Sequence, residues 1–410
     1  MRKLIGLILF SACTGTIGTG SGGDDDVPPV PVDVQVTVRD GAAGQANVRV
    51  IFQNADNTPI AEKVTDAAGI AAVEMPNGGN VTVIRTYAPI APAPANPTEV
   101  YTYVGVKSGD RLVLGHELDT IDTPTAIIVK VPDSLQNTVK VVTPCGSGQG
   151  TAPYVPITVA GCPSNLTFYL TDGNQSSVLA HAAYGANVDL GLQSPVGNLT
   201  TTLSSTNLLP GVTTVEAETR IMDGTYQLYS SGTKRVDATP ANVNMPNLQG
   251  VDEMVVATIK ATDGTQMVAS RQPYAVTPTI IDAGANLLPY VTTPEYTPTA
   301  VTWVETGTGA ADFVIATLDV TPKNGADEYI RIIMAPHTGL SLAVPLMTGA
   351  DAVFNPMTND QIAGTHELVR STGGYDAARG HAFGVPSVLQ NAPMNGSVTI
   401  SYAGNTPPTL

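Results

Sequence analysis

Alternation constrains this chain more than any other feature. Val34, Val36 and Val38 alternate with Asp33, Gln35, Thr37 and Arg39. Val398, Ile400 and Tyr402 alternate with Ser397, Thr399 and Ser401, and Val48, Val50 and Phe52 follow the same pattern in part. A period of two with β-branched residues places one face on a core and the other in water, which is how a half-buried strand reads. Turn signals separate such runs: Asp40-Gly41, Asp172-Gly173, Asp223-Gly224, Asp263-Gly264 and Asn324-Gly325. Sustained helical periodicity is scarce. The chain is therefore expected to be all-β, with several tandem β-sandwich domains. Its 410 residues exceed the size of one domain. Hydrophobic residues at 42% suffice for buried cores, while charged residues are only 13%. Forty glycines and 32 prolines suit many tight turns. This balance excludes collagen, coiled coil and a wholly disordered chain.

The charge balance narrows the partners. Nineteen Lys and Arg against 35 Asp and Glu give a net charge of −16. No basic cluster is present to neutralise phosphates, so nucleic acid is not an expected partner. Attraction to anionic lipid headgroups is not expected either.

The N-terminus points to export. Met1–Lys3 is basic, Leu4–Phe10 is apolar, and Ser11, Ala12 and Cys13 follow. A basic start, a short apolar core and small residues make a secretory signal peptide, over residues 1–12. The apolar run is far shorter than the ~20 residues that span a bilayer. Leu9-Phe10-Ser11-Ala12-Cys13 resembles the lipobox of bacterial lipoproteins, with Phe10 where leucine is commonest. The resemblance implies cleavage before Cys13 and a lipid on its sulfur. Residues 13–31 then read as a flexible tether: a Gly/Thr/Ser run, three aspartates and Pro28, Pro29 and Pro31. Thr14 after the cysteine, rather than aspartate, implies sorting to the outer membrane, on its periplasmic face or at the cell surface. Cys145 and Cys162 remain, and an even pair in an exported chain reads as a disulfide. The loop it closes, about 18 residues, is worth roughly 3 kcal/mol in the loop-entropy view. Gly146, Gly148 and Gly150 suggest that this loop has little order of its own.

Four folded units follow, at residues 32–114, 115–197, 198–285 and 286–410, the last two possible parts of one larger unit. The first contains Thr65-Asp66-Ala67-Ala68-Gly69, a strand, then Pro76-Asn77-Gly78-Gly79 and another strand. This resembles the carboxypeptidase-regulatory-like (transthyretin-like) and bacterial Ig-like β-sandwich domains. The resemblance implies a fold used as a spacer, adhesion or accessory module, and it carries no catalytic residues. Ala91–Pro97 reads as a long loop. In the second unit, strands are expected at residues 126–131, 138–142, 155–159 and 166–170.

Chemistry is sparse. His116-Glu117 and His366-Glu367 begin like a zinc-protease motif, but Thr120 and Arg370 stand where the second histidine would be. No nucleophile elbow, phosphate loop or EF-hand matches, so no cofactor and no metal are expected. Asn54-Ala55-Asp56-Asn57 has calcium-like oxygens, yet such stretches are usually ordinary turns. The candidate binding loop is Thr372–His381, which gathers Tyr375, Asp376, Arg379 and His381 between glycines. The plainer reading of the same residues is an ordered loop in which Asp376 pairs with Arg379. Trp303, the single tryptophan, reads as a core anchor. With aromatics at 5%, a transmembrane β-barrel with its aromatic girdles is not expected. The expected function is a non-catalytic envelope lipoprotein, structural or adhesion-type, whose partners are the membrane, through the lipid on Cys13, and a protein or glycan. The alternatives are a glycan-binding accessory protein and, less favoured, a hydrolase using the 375–381 loop.

Overall fold

The computed structural model describes residues 33–40, 43–86, 97–115, 125–135, 138–160, 165–172, 176–183, 185–224, 226–284, 287–381, 389 and 391–403. The expected signal segment, the expected tether with Cys13, His116, Cys162 and most of the loop expected at 91–97 lie outside these residues. The fold is all-β and multi-sandwich, with 61% strand and 4% helix.

The expected strands form for the expected reason. In Asp33–Asp40, the alternate Val34, Val36 and Val38 are fully buried. The second unit has strands Thr125–Lys130, Thr138–Thr143, Tyr154–Val159 and Asn165–Thr171, in the predicted places. The Asp66–Gly69 turn works as the sequence suggests. Asp66 Oδ1 accepts from the backbone N–H of Ala68 and of Ile70, each at 2.9 Å, and Gly69 adopts φ +74°. Val38 O, Gly44 and the Gln45 N–H leave no room for a Cβ there.

The glycine-rich stretch after Cys145 departs from expectation. Gly146–Thr151 is an ordered strand, hydrogen-bonded to Thr138–Thr143 on one side and Tyr154–Val159 on the other. Its alternate glycines face inward, where neighbouring strands crowd them: a Cβ on Gly148 would run into Pro156 O and lie 2.9 Å from Ile157 Cα. Glycine here permits close strand approach rather than disorder. It lies in a ten-stranded sheet whose second-unit strands enclose a core of Ile127, Val129, Val155, Ile157, Phe168 and Leu170.

A second sheet of 13 strands joins chain segments that are far apart in sequence. Strand Thr98–Val106 of the first unit pairs in parallel with Tyr329–Pro336 of the last, from Thr98↔Tyr329 to Tyr103↔Met334. Gly264–Pro273 pairs with Gly396–Tyr402, adding the third unit. Strand Ser176–Ala183 likewise bonds to Val196–Thr206 across residue 197. The sandwiches thus share sheets. One face of the 13-stranded sheet packs on Asp33–Asp40, Ile70–Glu74 and Arg111–Leu114 through Val34, Val36, Phe52 and Tyr103. The same apolar cluster continues through Phe313, Met334 and Tyr375. Another part packs through Val301, Trp303 and Leu368 on a three-stranded sheet, Tyr290–Tyr296, Ala300–Thr306 and Ser341–Ala343.

Candidate functional site

The loop with Tyr375, Asp376, Arg379 and His381 forms the short helix Gly374–Ala378 and the turn after it. Tyr375 is buried, and its hydroxyl lies 2.6 Å from Val104 O and 2.9 Å from Met334 O, either of which can accept its proton. Its ring meets Phe313 with centroids 5.7 Å apart. Burial holds its phenol well above the usual tyrosine range. Arg379 is also buried, at 2% exposed. Its Nη1 donates to Gly105 O at 3.0 Å. Its Nη2 pairs with Asp110 at 2.7 Å and with Asp376 at 3.0 Å, and its guanidinium lies 5.0 Å from the Tyr375 ring centroid. Asp376 also accepts from Lys107 Nζ, and this hydrogen bond is the largest cause of its lowered pKa.

Three of the four candidate residues therefore face the first unit. Val104, Gly105, Lys107 and Asp110 all belong to residues 32–114, so the helix fastens the end of the chain to its beginning. The predicted Asp376–Arg379 pair forms, but within a clamp whose main contacts are interdomain. His381 is the exception. It is exposed and lines a small cleft with Ser371, Gly373, Ala377, Asn391 and Pro393.

Cys145 sits half-buried beside the second unit's core, its sulfur 3.8 Å from Thr143 Oγ1. The stretch at Asn54–Asn57 closes on itself: Asp56 Oδ1 accepts from Thr58 N at 3.0 Å and from Thr58 Oγ1 at 2.6 Å, with Asn57 at φ +67°. Those oxygens serve the turn. Among the described residues, no three His, Cys, Asp or Glu side chains gather as a metal would need.

A second polar cluster was not foreseen in sequence. Trp303 is buried as a core anchor, with His366 stacked 4.0 Å away and His337 at 6.3 Å. Glu305 Oε1 accepts from Trp303 Nε1 at 2.8 Å and lies 2.7 Å from His337 Nε2. His366 is wholly buried with neither ring nitrogen hydrogen-bonded among the described residues. Burial lowers its pKa to about 3. Glu305 carried no sequence signal, because it belongs to no motif and meets His337 only through the fold.

No family model matches the chain, and no curated protein matches it. Ten chains of solved structures do match. One is the native conformation of E. coli alpha-2-macroglobulin, seen by cryo-EM. The alignment has 7% identity and a TM-score of 0.12, and covers 89% of this chain and 27% of that one. The chain spans about a quarter of that protein's length, and a likeness at this TM-score carries no argument.

Proposed function

We propose that the chain is a non-catalytic lipoprotein of the bacterial cell envelope, a structural or adhesion-type assembly of β-sandwiches that presents loops to a partner. One observation carries the non-catalytic part. The polar loop most suggestive of chemistry spends Tyr375 and Arg379 on Val104 O, Met334 O, Gly105 O and Asp110. Groups buried and bonded to neighbouring backbone and carboxylate in this way hold a structure together. The Asp66 turn inside a sandwich supports a carboxypeptidase-regulatory-like or Ig-like character for residues 32–114. The envelope placement rests on the basic, apolar and small-residue run ending at Cys13. A Cys145–Cys162 disulfide fits that compartment.

Mass spectrometry of the mature N-terminus tests the anchor. A diacylglycerol-modified Cys13 as first residue is the expected result. An unmodified Cys13, or cleavage elsewhere, overturns it. Thiol labelling of the denatured, unreduced protein should find neither Cys145 nor Cys162 reactive.

A further inference from the structure

A cleft of about 350 Å³ opens where the first and last units meet, lined among others by Gln45, Asn47, Arg49, Ile84, Thr86 and Phe354. That volume lies within the range of small-ligand sites, which favour such junctions. Its walls are held firmly. Gln45 N donates to Val38 O and Asn47 N to Thr65 O, both at 2.9 Å. The opposite wall hangs from Arg331, which is wholly buried yet meets only backbone: its Nη2 donates to Pro345 O at 2.6 Å and its Nη1 reaches Phe354 O at 3.5 Å. Asn355 clips the same segment by bonding both the N–H (2.9 Å) and the carbonyl (2.8 Å) of Met347. Met347 in turn packs on Ile51, Ile84 and Val100. Arg49 crosses the junction to Asp351 at 2.7 Å and also binds Glu62 at 2.8 Å. A buried arginine costs free energy that nothing in the core demands. Here it fixes a segment that leaves Phe354 half-buried in the wall, packed on the apolar clusters beneath it, with its ring in edge contact with Tyr329 at 5.6 Å.

We infer that this cleft binds a neutral saccharide. The chemistry is that of sugar recognition: the Phe354 ring for the apolar face of a pyranose, two amides and a hydroxyl for its hydroxyl groups. Arg85 Nε donates to Gln45 Oε1 at 2.9 Å, which orients that amide so its nitrogen remains as a donor. The exposed Asn47 side chain offers both a donor and an acceptor. An acidic ligand is disfavoured, because Arg49 is already matched by Glu62 and Asp351 and the chain is acidic overall. This inference goes beyond the structural reading and does not rest on the lipid anchor.

Saturation-transfer NMR on the purified full chain tests it, with glucose, galactose, N-acetylglucosamine, maltose and cellobiose at millimolar concentration and glucuronate as the acidic comparison. At least one neutral sugar should receive saturation. Phe354→Ala should weaken its binding about tenfold or more, and Phe354→Tyr should retain it. Asn47→Gly removes the amide while suiting the positive φ of 62°. It should also weaken binding, and it serves where Phe354→Ala fails to fold. Saturation of glucuronate alone, of no sugar, or of a neutral sugar equally in wild type and Asn47→Gly overturns the inference. None of these outcomes touches the state of Cys13.

Discussion

Arg379 and Tyr375 differ in what they lose on truncation. Tyr375→Phe removes one hydroxyl that serves two backbone carbonyls, and should cost about 1–2 kcal/mol in denaturant unfolding. Arg379→Ala strips a buried guanidinium from Gly105 O, Asp110 and Asp376, and should cost about 3 kcal/mol. Asp376 can still reach Lys107, which keeps the loss from being larger. His366 and Glu367 are neighbours on strand Gln361–Ser371 and titrate in opposite senses. Burial lowers His366 from 6.5 to about 3, so between those pH values the unfolded chain binds the extra proton and stability falls as pH falls. Burial raises Glu367 from 4.5 to about 7, so across that window the folded chain binds the extra proton and stability falls as pH rises. The two slopes oppose each other between about pH 4.5 and 6.5. Relative to wild type, His366→Leu should tilt the stability profile downward with rising pH in that window. Glu367→Gln should tilt it the other way. Each tilt should approach 1.4 kcal/mol per pH unit, read from urea midpoints across the range.

The strand Gly146–Thr151 shows what a glycine can mean within an element. Gly148→Ala would push a Cβ against Pro156 O and Ile157, and should lower stability by about 1–3 kcal/mol. Gly185→Ala meets nothing within 4 Å and should leave stability nearly unchanged. A melting curve for each separates close strand approach from mere flexibility. The same strand marks where sequence stops being legible. Val34, Val36 and Val38 announced their strand because alternation is local, and Asp66 announced its turn because its bonds reach only to Ala68 and Ile70. Gly146, Gly148 and Gly150 alternate too, but a missing side chain carries no record of the strand it admits. The candidate loop was legible as unusual, since Tyr375, Asp376 and Arg379 are close in sequence. Its role was not, because Val104, Gly105 and Asp110 are not. Phe354 and Gln45 give no warning of a shared cleft for the same reason.

At the scale of the molecule, the question is whether the sandwiches are independent. A string of separate domains would let residues 33–114 fold alone. The topology argues against it. Strand Thr98–Val106 has Gly79–Arg85 on one edge and Tyr329–Pro336 on the other, so excision bares an inner edge of the 13-stranded sheet. Excision also removes Phe313, Met334 and Tyr375 from the cluster that holds Phe52 and Tyr103. The guanidinium clamp on Asp110 goes as well. A fragment of 33–114 should therefore lack a cooperative melt and show fast amide exchange in strand Thr98–Val106. In the intact chain those amides should be protected to the same degree as those of Tyr329–Pro336, because opening one strand costs the other its partner. Arg379→Ala should lower the protection of both strands together, whereas a string of independent sandwiches would show the change in the last unit alone. Native-state hydrogen exchange on wild type and variant decides between them, and unequal protection of the two paired strands would mean that the shared sheet does not couple the ends of the chain.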